Sequence, residues 1–121
     1  MGIGGVRMQD RFKFRSWDDY NREMLDLQEQ DTNPYNISDF AQHNIMQCTG
    51  LKDKNGKLIY EGDIVKIFHV SGTMQGKLFT DVVEWNQLRC RFDTERYGVF
   101  DEDDIYEVIG NIYENPELLE D

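Results

Sequence analysis

"GLKDKNGKLIYEGDIVKI", residues 50–67, decides how the chain folds. Charged and turn-forming residues gather at Asp53–Lys57, and Asn55-Gly56 is a strong short hairpin signal. Asn-Gly suits a type I′ turn, where both central residues adopt positive φ. After "LIY" the chain reaches Glu61-Gly62-Asp63, where glycine permits a bend or bulge. "IVKIFHV" then reads as a strand, because its β-branched residues suit a pleated, buried surface.

Working outward, the pattern stays β. "SGTMQG" is a turn, and "KLFTDVVEW" and "LRCRFD" read as a hairpin joined near Asn86-Gln87. In its second arm Leu88, Cys90 and Phe92 alternate with Arg89 and Arg91. "IYEVIGNIY" carries apolar residues in both registers, so burial on two faces is expected at its start. Asn115-Pro116-Glu117 opens a short C-terminal helical turn, with asparagine at the cap and proline at the first position; Leu118 and Leu119 are its expected anchors. Towards the N-terminus, "RFKFRSW" alternates: Phe12 and Phe14 on one face, Arg11, Lys13 and Arg15 on the other. Asp18-Asp19 should turn the chain. Tyr20, Met24 and Leu27 have helical spacing, so residues 20–30 are expected to form a helical turn, and Pro34 marks a loop over residues 31–39. The sum is a single, mainly β domain over residues 1–121. It is expected to be a small bent sheet or barrel-like unit with a peripheral N-terminal segment, residues 1–10 being a flexible extension.

The chain of 121 residues has a formal net charge of −11. Residues 1–15 carry Arg7, Arg11, Lys13 and Arg15 against Asp10, whereas residues 93–121 hold eleven acids and one base, Arg96. Such an acidic protein is repelled by phosphate backbones, so direct nucleic-acid binding is disfavoured. Two alternative readings remain: a nucleic-acid-linked role, through the basic strand Arg11, Lys13, Arg15 or an acidic face that mimics the polyanion, and an enzyme of unrecognised type that would use Glu61, Asp63 or the acids at 101–104. No apolar run reaches the roughly 20 residues of a membrane span, and no signal-peptide core is present. Cys48 and Cys90 are expected to be reduced and packed as small hydrophobes.

Chemistry-bearing patterns are sparse. Glu61 and Asp63 would share a face if extended, but no histidine or third acid stands beside them. "DEDD" at 101–104 could attract a divalent cation, yet Ile105 stands where an EF-hand ligand should be. Glu61, Asp63, Asp101, Asp103 and Asp104 are therefore the candidate site residues, read as surface carboxylates. His43 and His69 are not in a metal spacing, and "GIGG" at 2–5 has no preceding strand to make a phosphate loop. No catalytic residue, cofactor or metal is expected.

"FKFRSWD", "MQCTGLKDKNGKLIYEGDIVKI" (46–67), "VVEW" (82–85) and "YEVIGNIYENPELL" (106–119) together resemble the YopX-type proteins of bacteriophages and prophages. The resemblance implies a small β-rich protein of the bacterial cytoplasm and no catalytic residue. It also makes residues 1–7 an extension before the usual start, with Met8 as an alternative initiation point. The expected function is a non-enzymatic module that binds a host or phage protein or assembles with itself, with no membrane partner.

Overall fold

The computed structural model describes residues 10–27, 44–101 and 103–120. Arg7, Met8, the 2–5 glycines, Pro34 and His43 lie outside them. The described chain is mainly β and comprises two compact units that divide at Gly50 and Leu51.

In the first unit, β1 (Phe14–Asp18) lies between β2 (Glu23–Asp26) and β3 (Asn44–Lys52) in an antiparallel sheet. Arg15 faces Asp26 on one side and Met46 on the other. Trp17, Met46 and Cys48 are buried. The expected strand starts later than the alternation suggests: Arg11 and Phe12 form a turn, Phe12 is 62% exposed, and of the three basic residues only Arg15 belongs to β1. The helical turn expected from residue 20 is corrected to β2, because cross-strand pairing with β1 satisfies this backbone as a strand. Asp18 makes the intervening turn, its Oδ1 accepting from Tyr20 N at 3.0 Å and Asn21 N at 3.2 Å.

In the second unit, β5 (Asp63–Phe68) is an interior strand of a five-stranded antiparallel sheet. It pairs with β6 (Leu78–Asn86) and with β9 (Ile105–Asn111); β7 (Arg91–Thr94) and β8 (Gly98–Val99) extend the sheet beyond β6. Alternation along β5 sends Val65 and Ile67 into a core with Val83 of β6 and Ile59 of β4 (Leu58–Tyr60), leaving Lys66 and Phe68 outside. Tyr97, Phe100, Tyr106 and Val108 pack around these four aliphatic residues. Each buried aliphatic stabilises the unit by about 1.5–3 kcal/mol.

The turn in the opening stretch has a different mechanism from the one its Asn-Gly suggests. Gly56 has φ +82°, but Asn55 is not among the residues with positive φ, so this is not a type I′ turn. Gly56 N donates to Asp53 O at 2.9 Å, and Asp53 N donates to Lys57 O at 2.8 Å: a tight turn followed by a left-handed glycine. Gly62 makes the expected bend at φ +87°. Around it Gly62 N donates to Val83 O and Ile112 N donates to Gly62 O.

The β6–β7 connection corrects a second expectation. Leu88 is 96% exposed and Cys90 has φ +54°, so both sit in the turn and neither alternates with Phe92 in the strand. Cys48 is buried as expected, whereas Cys90 is exposed. At the C-terminus Pro116–Leu119 is a 3-10 turn with proline at its start. Asn115 stands at the cap position as expected, but its side chain makes no cap hydrogen bond; its Oδ1 instead accepts from Asn111 N at 3.2 Å. Leu118 is exposed and so is not an anchor.

Candidate interaction site

Buried carboxylates hold the loops of the second unit, and they set the geometry of its surface. Asp53 does most. Its Oδ1 accepts from Asn55 N and Lys57 N, both at 2.9 Å, and its Oδ2 accepts from Val108 N at 2.9 Å. Lys54 N also donates to Tyr106 O at 2.9 Å. The signature turn is thus fastened to the edge of β9, where it occupies backbone groups that an edge strand would otherwise leave open to another chain. Burial by itself would raise the Asp53 pKa, but the three N–H donors and the Lys57 charge outweigh it, and the net shift is downward.

Asp81 works similarly: its Oδ2 accepts from Arg96 N at 2.8 Å and Tyr97 N at 3.0 Å. Asp93 accepts from Asn86 Nδ2 and Arg91 Nε. Glu84 lies opposite Asp93 across β6 and β7. Desolvation, with the negative charges of Glu95, Asp81 and Asp93, raises its pKa.

The proposed surface carboxylates divide. Asp63 is only 1% exposed, and its Oδ2 accepts from Tyr60 N at 2.7 Å, so it holds the Gly62 bend from inside. Glu61 is half-buried, and the two do not form an exposed pair. Asp101 and Asp103 are exposed, with Asp103 N donating to Asp101 Oδ1 at 2.9 Å. Asp104 is a correction: its side chain is 7% exposed and contacts His69 Nδ1 at 2.8 Å. Its other oxygen accepts from Val70 N at 3.2 Å. The imidazole packs edge-on against Phe79 and Tyr97, and its Nε2 is buried without a hydrogen-bond partner among the described residues. It therefore does not face solvent as a base.

The Asp104 contacts tie the end of β5 to the start of β9, and there the sheet exposes an apolar row. Phe68 pairs with Leu78 on one side and Ile105 on the other. The three are 39%, 58% and 43% exposed. Val70 and Met74, in the loop that follows β5, are also exposed. Sheet alternation explains the row: Val65 and Ile67 fill the core, so Phe68 must face outward. Each residue alone reads in the sequence as core; only the strand register shows that they form a surface.

The opposite side of β9 opens on a cleft of about 300 Å³, lined by Leu51, Lys52, Ile59, Phe100, Asp101, Asp104 and Tyr106. Phe100 and Tyr106 pack with ring centroids 4.9 Å apart, and Tyr106 Oη accepts from Asp101 N at 2.8 Å. Burial raises the Tyr106 pKa, opposed by that hydrogen bond and reinforced by the charges of Asp104 and Asp101. Among the described residues no cluster of histidine, cysteine and acidic side chains could hold a metal ion. No helix among them is long and apolar enough to cross a membrane.

These features define an antiparallel β protein whose loops are fastened by buried carboxylates and whose sheet carries an exposed apolar row. The YopX protein family model matches residues 26–120, and the chain belongs to that family. The match starts after "FKFRSWD", so the motif read as the family's opening falls outside it. The crystal structure of protein EF1440 from Enterococcus faecalis is similar, with a TM-score of 0.60 and 31% identity. That similarity covers 89% of this chain and 97% of the other. No curated protein matches the chain.

Proposed function

We propose that the chain is a non-enzymatic protein-interaction module of a phage or prophage, acting in the bacterial cytoplasm on a host or phage protein. The observation that supports this reading is the apolar row Leu78–Phe68–Ile105. A contiguous exposed apolar patch with charged neighbours, here Lys66 and Glu107 in the adjacent cross-strand pair, is characteristic of a surface that meets another protein. The buried carboxylates all have structural partners, which accounts for them without catalysis. A tagged chain incubated with host lysate, with and without nuclease, tests the reading. Protein retained after nuclease treatment supports it. Retention that depends on intact nucleic acid overturns it in favour of the nucleic-acid route.

A further inference from the structure

We infer that the cleft beside β9 receives an arginine side chain from a basic protein partner. The inference rests on the interaction-module reading but on different residues. Leu51, 46% exposed, offers an aliphatic stem a wall over a floor closed by the buried Ile59, and the aromatic pair Phe100 and Tyr106 suits a planar guanidinium. Lys52 supplies one positive charge to the lining, against the two carboxylates of Asp101 and Asp104. Asp104 is already engaged by His69 and Val70 N. Asp101 is the exposed carboxylate, and with Asp103 N on Oδ1 it keeps acceptor capacity for an incoming guanidinium. About 300 Å³ is at the small end of ligand pockets, suited to one long side chain rather than a cofactor. The partner's sign follows from the wider field: residues 93–121 hold eleven acids and one base, in a chain of net charge −11. Such a surface steers basic partners and repels acidic ones.

The test uses the full chain and N-acetyl-arginine amide, followed by NMR titration of backbone amides. The expected result is shift changes centred on residues 52, 59, 100, 101, 104 and 106, with the neutral isostere N-acetyl-citrulline amide binding at least about threefold more weakly. Asp101→Asn should weaken arginine binding by a similar factor. Glu117→Gln removes the same charge from a residue that does not line the cleft, and it should leave binding unchanged. Citrulline binding as well as arginine would overturn the proposal, as would an equal loss in Asp101→Asn and Glu117→Gln, since attraction would then be diffuse. Neither outcome touches the apolar row, so the interaction-module reading stands or falls separately.

Discussion

Replacing Asp53 by asparagine should show that the signature turn is a clasp on β9. In the native protein one carboxylate accepts three backbone N–H bonds, from Asn55, Lys57 and Val108, each at 2.9 Å. Hydrogen bonds to a charged group contribute about 1.5–3 kcal/mol each, against about 1 for neutral pairs. Asparagine can keep its oxygen towards Asn55 and Lys57, but its amide then confronts Val108 N–H donor to donor. One charged bond is lost and two are weakened, which gives a loss of about 3 kcal/mol. A domain of this size has roughly 6 kcal/mol or more of stability, so the variant should still fold. Urea unfolding at neutral pH should show a midpoint lower by about 1–2 M. The sign with pH follows from the downward shift: the Asp53 contribution is complete above its unfolded value and is lost as pH falls through its lower folded value. The gap between native protein and variant should therefore narrow only in acid, below about pH 4. Amide hydrogen exchange should rise at Val108 and Lys57 before it rises in the β5–β6 pairing. A stability loss below about 0.5 kcal/mol, or unchanged exchange at Val108, would refute the clasp.

Other substitutions probe separate parts of the account. Gly56→Ala should cost about 1–2 kcal/mol because φ is +82° there, whereas Asn55→Ala should cost much less; comparable losses in urea unfolding would restore the type I′ turn. Gly110→Ala places a Cβ 2.5 Å from Asn115 Oδ1 and should cost about 1–3 kcal/mol, with faster exchange at Asn111. Glu84→Gln should stabilise by a few tenths of a kcal/mol at neutral pH. Its raised pKa, from desolvation and the neighbouring negative charges, means that this gain fades as pH falls through the folded value, and a gain that persists in acid would contradict the charge-based explanation.

The elements that were legible in the sequence are those whose partners are near in the chain or whose composition dictates burial. The stretch 64–70 reads as a strand because its β-branched residues suit a pleated, buried surface, and Gly62 reads as a bend. Asn115-Pro116 reads as a helical start because proline fixes its own backbone, although the Asn115 side chain turns out to serve Asn111 instead. The buried acids were not legible. Asp53 and Val108 are 55 residues apart, and Asp81 and Arg96 N are 15 apart. In both cases the donor is a backbone amide, which any residue would supply, so no partner stands out in the sequence. Asp63 looks like a solvated charge for the same reason, and Asp104 does so because its partners His69 and Val70 lie more than 30 residues away. Met24 and Leu27 fit a helix by spacing, but only the pairing of β2 with β1 makes that segment a strand. The apolar row depends on the register of β5 with β6 and β9, which periodicity within one strand does not contain.

The central claim, that the Leu78–Phe68–Ile105 row is the interaction surface, is tested most directly by capture with paired variants. Leu78→Ser and Ile105→Ser remove exposed side chains and should leave the unfolding midpoint little changed. Tagged native protein and both variants would be incubated with nuclease-treated host lysate, and retained proteins quantified by mass spectrometry. A partner held by the native chain and lost from both folded variants is the predicted result. Equal retention by all three would contradict the assignment of function to this row.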